Sequence, residues 1–118
     1  MNQLSIGQYF EEIAAKYLSK YEYTILDRNF YSKAGELDLI TKLREELIFV
    51  EVKSISFDSE YSIYQSLTRQ KLLRINKTAQ SWLRGHSLEN AIYRIEFIGI
   101  IDAGNTYYLE HFKHLRFS

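Results

Sequence analysis

Charged side chains stand inside the two most strand-like runs of this chain, and that conflict constrains the fold more than any other feature. In "GELDLI" (35–40) and "IFVEVKS" (48–54), apolar residues alternate with Glu36, Asp38, Glu51 and Lys53. Successive side chains of a strand point to opposite faces of a sheet. Glu36 and Asp38 therefore share one face of the first run, and Glu51 and Lys53 share one face of the second. With Arg44–Glu45 as a two-residue turn, Asp38 falls opposite Glu51 and Glu36 opposite Lys53. Directly opposed Cβ atoms lie about 4.5–5.5 Å apart. Arg44–Glu45 lacks the residues of a strong two-residue turn, and a longer loop would shift this register.

The rest of the chain supplies partners for such a hairpin. Ser5 and Gln8 form a capping-box signature that opens a helix from about Ser5 to Lys20. Ile6, Phe10, Ile13, Ala14, Tyr17 and Tyr21 make its apolar stripe, with Glu12 well away from it and Glu11 on its flank beside Leu18. A strand is expected at 23–31, hairpin strands near 36–42 and 47–53, and a loop at 54–65. A second long helix spans 66–85, with Leu72, Ile75, Ala79, Trp82 and Leu83 facing inward and Gly85 as its stop. Strands near 92–101 and 106–112 follow, joined by "DAGN". The expected order is αβββαββ, an α/β fold with a central mixed sheet flanked by two helices.

At 118 residues, with no linker, repeat or proline, residues 1–118 form a single domain. The 15 basic and 15 acidic side chains cancel, so any nucleic-acid binding must come from a local patch. The absence of cysteine excludes disulfides and thiolate metal sites. No signal-peptide pattern and no membrane-spanning apolar run is present. A soluble cytoplasmic protein without a membrane partner is the expectation.

Two carboxylates held close together repel, and one pKa rises unless a positive charge lies between them. A hard divalent cation such as Mg²⁺, bound by one or two carboxylates plus water and phosphate, resolves the conflict. Lys53 would add positive charge beside it, suited to steadying a nucleophilic water or a phosphate under attack. The plainer reading is a solvated edge hairpin with a Glu36–Lys53 ion pair. Tight apolar flanks in "IFVEVKS" argue instead for a central strand.

"GELDLI" followed by "FVEVK" resembles the YraN-like family of small bacterial proteins, which have a restriction-endonuclease-like fold. The resemblance extends over "GQYFEEIAAKYL" (7–18), "ILDRNFYSKAGELDLI" (25–40), "RQKLLRINKTAQSWL" (69–83), "YRIEFIGI" (93–100) and "LEHF" (109–112). It implies a metal-dependent nuclease of the PD-(D/E)xK superfamily, similar to archaeal-type Holliday-junction resolvases, acting on branched or structured DNA with Mg²⁺ or Mn²⁺. By resemblance, Asp38 and Glu51 would be the metal-binding carboxylates and Lys53 the catalytic lysine. The Val52 carbonyl would be an extra ligand, and Glu11 would belong to the metal-site region. Glu36 would be either a third carboxylate or the partner of Lys53. The alternative is a nucleic-acid-binding module of the same fold that does not cleave on its own. Three departures stand out: Leu37 in place of the superfamily's frequent proline, Ile55 where a basic residue is expected, and Glu96 where aspartate is usual.

On the second helix Arg74, Lys77 and Arg84 project away from the apolar stripe, and Lys71 sits at its edge, leaning towards the hairpin. These four are the candidates for phosphate contacts, with nucleic acid, DNA first, as the partner. A charged helix face is also commonly just solvated. Phe57, Tyr61 and Tyr64 lie in the 54–65 loop. They suit unpaired bases, packing over the sheet, or the partner subunit of a homodimer, and the sequence leaves these open. His86, His111 and His114 have no metal spacing and read as structural or incidental.

Overall fold

The computed structural model describes residues 4–115. Helix α1 (Ile6–Lys20) is followed by strands β1 (Thr24–Ser32), β2 (Gly35–Leu43) and β3 (Glu46–Ser56). A 3₁₀ turn (Tyr64–Ser66) leads into helix α2 (Arg69–Gly85), and β4 (Tyr93–Asp102) and β5 (Tyr107–Phe112) complete the fold. The strands form one mixed sheet in the order β1-β2-β3-β4-β5, with β3 and β4 parallel and all other pairs antiparallel. The αβββαββ layout read from the sequence is the one observed. A parallel pair needs a crossover, and α2 provides it.

The helices cover opposite faces. On β3, Ile48 and Val50 pack with Phe10, Ala14, Ala15 and Leu18 of α1, while Leu47 and Phe49 pack with Ile75, Ala79, Trp82 and Leu83 of α2. That is the two-residue period of a strand covered on both sides. Phe49 meets Trp82 and Tyr93 edge-to-face, at 5.8 and 5.4 Å between ring centroids. Burying an aromatic of this size contributes about 1.5–3 kcal/mol. Trp82 Nε1 donates to Asp27 Oδ2 at 3.0 Å, tying α2 to β1.

Several local expectations are corrected. The Ser5–Gln8 capping box is present in both directions, but the buried arc of α1 is rotated. Ile6 (77% exposed) and Tyr21 (58%) lie outside it, and Ala15 and Leu18 lie inside. Glu11 and Leu18, seven residues apart, fall within roughly 20° of each other around the helix. The rotation therefore carries Glu11 over the sheet rather than leaving it on a flank. Glu12 points outward and pairs with Arg28 at 2.6 Å.

The 54–65 segment is not simply a loop, because β3 continues to Ser56 and Ile63 is buried. Ile63 lies on Gly99, where an added Cβ would come within 2.3 Å of its Cγ2. Helix α2 ends at Gly85 as expected, and the left-handed residue follows two positions later at Ser87 (φ +56). Among the described residues no helix is long and apolar enough to cross a membrane.

Candidate active site

The β2–β3 ladder runs from Leu43↔Glu46 to Leu39↔Val50, the register expected from an Arg44–Glu45 turn. Arg44 takes a positive φ (+57) to make that turn. The next opposed pair would be Asp38 and Glu51, and there the ladder stops. Asp38 Oδ2 instead accepts the backbone N–H of Val52 at 2.7 Å. Beyond this point β2 stays with β1, through Phe30↔Leu37 and Tyr31↔Glu36.

Asn29, the β1 residue that would face Asp38, is left-handed (φ +52) and drops out of the pairing. Leu37 packs with Ile40 on the α2 face although Leu39 packs on the α1 face, so strict alternation breaks at Asp38. The strands thus part in a fork, with Asp38, 8% exposed, at its apex. The expected Glu36–Lys53 cross-strand pairing lies past the fork, and the two residues form no ion pair among the described residues.

Carboxyls from separate elements converge on Asp38. Burial raises the pKa of Glu51 well above the usual carboxylate range; a hydrogen bond and charge from Asp38 raise it further, and Lys71 opposes the shift. Glu11 reaches in from α1 and is pushed up to about 7, by burial first and then by the charge and hydrogen bonding of Asp38. Glu36 is exposed but adds repulsion to both. Val52 meets Asp38 through its backbone N–H.

The positive side of the fork comes from β3 and α2. Thr68 caps α2, its hydroxyl accepting the N–H of Lys71 at 3.1 Å. This places Lys71 in the first turn, with its ammonium 5.4 Å from the centroid of the Phe97 ring. Burial lowers the Lys71 pKa, Glu51 counteracts this, and Lys53 adds to the lowering. Lys71 therefore lies within electrostatic reach of both residues. Lys53 itself is exposed. The Arg74 stem runs past Gly35, whose missing Cβ would sit 3.2 Å from Arg74 Cγ.

Lys77 is exposed further along the helix. Arg84 bonds to Ser81 at 3.2 Å and lies about 20 Å down the axis from Lys71 at 1.5 Å per residue. The fork therefore gathers Glu11, Glu36, Asp38, Glu51, Lys53 and Lys71, with Arg74 beside it, and leaves Lys77 and Arg84 outside. Phe97, the ring under Lys71, reads in the sequence as one more apolar residue of a central strand, with no local signal of this role.

Among the described residues no group of three His, Cys, Asp or Glu makes a ready cage for a metal ion. Asp38 and Glu51 make a pair, and hard oxygen donors with excess negative charge match the chemistry of Mg²⁺ or Mn²⁺ with water and phosphate completing the shell. A second polar cluster is separate. Glu96, fully buried, accepts from Tyr23 Oη at 2.8 Å and Arg94 Nε at 2.8 Å, and bonds His111 Nε2 at 2.7 Å. Burial alone would raise its pKa, but the bonds from His111, Tyr23 and Arg94 outweigh this and hold it below the usual value. His111 is thus structural.

The profile of the family described as "Uncharacterised protein family UPF0102" matches residues 10–100. The chain belongs to the UPF0102 family. A UPF0102 protein of Vibrio campbellii is 41% identical over 101 residues, covering 84% of this chain and 83% of the relative. One from Aliivibrio salmonicida is 39% identical over 100 residues, covering 83% and 81%. One from Carboxydothermus hydrogenoformans is 30% identical over 115 residues, covering 98% of each. The stretch matched by the UPF0102 profile holds every residue gathered at the fork.

Proposed function

We propose that this UPF0102 chain is a metal-dependent nuclease of restriction-endonuclease-like type. The observation that carries the reading is the fork itself. Glu51 from β3 and Glu11 from α1 each interact with Asp38 of β2, and Lys71, itself within reach of Lys53, interacts with Asp38 and Glu51. A structural role would not require a sheet to open its ladder around an acid. Asp38 and Glu51 would hold Mg²⁺ or Mn²⁺, with Glu11 and Glu36 acting on its water shell. The ion would supply a Lewis acid and a more acidic bound water. The Lys53 ammonium would hydrogen-bond to the attacking water or a non-bridging phosphate oxygen, where negative charge develops. Lys71 and Arg74 would hold adjacent phosphates.

A non-cleaving module of the same fold is the second reading. The zero net charge favours it, because no overall positive charge draws nucleic acid to the chain. The test is cleavage of labelled single-stranded, duplex, flapped and four-way-junction DNA, and of RNA, in Mg²⁺ and Mn²⁺. Wild type is compared with Asp38→Asn and Lys53→Ala. Cleavage lost in both variants supports the nuclease; binding without cleavage on every substrate supports the module.

A further inference from the structure

Three large aromatics crowd the segment that joins β3 to α2. Phe57, Tyr61 and Tyr64 are 67%, 72% and 73% exposed. Single exposed aromatics are ordinary, but three within eight residues form a patch. The segment is anchored. Ile63 is seated on Gly99, Ser62 and Gln65 exchange bonds of 2.8 and 3.2 Å, and Ser66 Oγ donates to the Ile63 carbonyl at 2.6 Å. The rings border a groove of about 330 Å³ whose floor includes Ile55 and Ile101.

Ring contacts connect this groove to the fork. Tyr64 lies 6.2 Å from Phe112, Phe112 lies 6.0 Å from Phe97, and the Lys71 ammonium lies 5.4 Å from Phe97. The segment also starts from the strand that carries Lys53 and ends at the turn that carries Lys71. Its charges have the opposite sign. Asp58 and Glu60 lie within it, and Glu110 borders the groove. Phosphates would be repelled here and attracted at Lys53, Lys71 and Arg74. A ligand satisfying both ends presents flat apolar faces to the segment and phosphates to the fork.

We infer that the 57–64 segment is a stacking platform for the unpaired bases of single-stranded nucleic acid, adjoining the acid fork. As a substrate-selecting device it rests on the nuclease reading; as a binding surface it does not. A duplex turns its phosphates outward and hides its base faces, whereas an unpaired strand offers a π-face at each base.

The test is fluorescence anisotropy in EDTA with three labelled probes: single-stranded DNA, single-stranded RNA of the same sequence, and blunt duplex DNA. The proteins are wild type, Phe57→Ala/Tyr61→Ala/Tyr64→Ala, and Tyr61→Phe/Tyr64→Phe. Wild type is expected to prefer single strands. The triple variant loses single-strand affinity by roughly tenfold per ring removed. Duplex binding is unchanged, and the phenylalanine variant behaves as wild type. The DNA and RNA arms decide the sugar.

Undiminished single-strand binding by the triple variant overturns the inference, as does a wild type without single-strand preference. A wild-type dimer that the triple variant converts to monomer in sedimentation overturns it too, and makes the patch a contact between copies. If the triple variant does not fold, Tyr61→Ala alone serves. Cleavage in Mg²⁺ is scored separately. Ring-dependent binding without cleavage sinks the nuclease and keeps the platform, while duplex cleavage indifferent to the rings does the reverse.

Discussion

Asp38 and Val52 are joined by a 2.7 Å bond from backbone N–H to carboxylate, at the point where β2 and β3 stop pairing. The side chain takes over a bond that the ladder would otherwise have made. This satisfies a partly buried donor and fixes one carboxylate oxygen in the mouth of the fork. Asparagine retains an acceptor for that bond and removes the charge.

Asp38→Asn is therefore expected to fold, and to be at least as stable as wild type in chelator because the repulsion on Glu11 and Glu51 is relieved. In wild type, Mg²⁺ or Mn²⁺ should raise the melting temperature. The stabilisation is about 1.4 kcal/mol when the ion is at ten times its Kd. Asp38→Asn should show no metal-dependent shift. Equal melting curves for wild type with and without millimolar metal would remove the metal from the site.

Lys53 is exposed, so Lys53→Ala should change stability by no more than about 0.5 kcal/mol. Cleavage should fall at least 100-fold with nucleic-acid binding retained. A variant that cleaves at the wild-type rate would show that this ammonium takes no part in the chemistry.

Lys71 and Arg84 belong to the same helix, and only Lys71 is at the fork. Lys71→Ala is expected to weaken binding about tenfold and to reduce the slope of log K against log salt by about 1. Arg84→Ala should leave both unchanged. Titrations at several salt concentrations check this, and equal effects from the two variants would mean that the whole helix face is the interface.

Gly99 has no room for a side chain beneath Ile63. Gly99→Ala should cost about 1–3 kcal/mol by urea denaturation. Combined with Ile63→Ala, which removes the clashing Cγ2 and Cγ1, the cost should be less than the sum of the two single costs. Strict additivity would mean that the segment is not seated there.

Glu96 has a folded-state pKa below its ordinary 4.5 despite burial, held there by His111, Tyr23 and Arg94. Its stabilising contribution is thus fully present above pH 4.5 and is lost as pH falls through the lower folded value. Glu96→Gln should destabilise the neutral protein by about 2–3 kcal/mol, discounted because Arg94 is partly exposed. It should also flatten the acid limb of a stability–pH curve. An unchanged acid limb would assign that limb to other carboxyls.

The sequence made the scaffold legible where local rules suffice. The capping box, the inward face of α2 and the register across Arg44–Glu45 were each written in a few adjacent residues. What it hid depends on distance. Nothing near Asp38 announces that the ladder opens there, because the cause is shared between Asn29, Val52 and the splitting of β2 between two neighbours. Gly99 reads as an ordinary glycine until Ile63 is placed on it. Glu96 reads as an oddity until Tyr23 and His111, far off in sequence, are found holding it. The α1 stripe read from the sequence departs from the buried one at Ile6 and Tyr21, the first residue and the C-cap of the helix, both exposed. Correcting it is what brings Glu11 into the site.

The left-handed Asn29 has an effect on the outside of the molecule as well. β1 is an edge strand, and such edges present unpaired N–H and C=O groups to any passing chain. A register shift between Ile25 and Asp27 and the turn of Asn29 out of the ladder leave that edge without a straight run for another strand to copy. The irregularity beside the acid fork thus also makes this edge of the sheet a poor template for edge-to-edge aggregation.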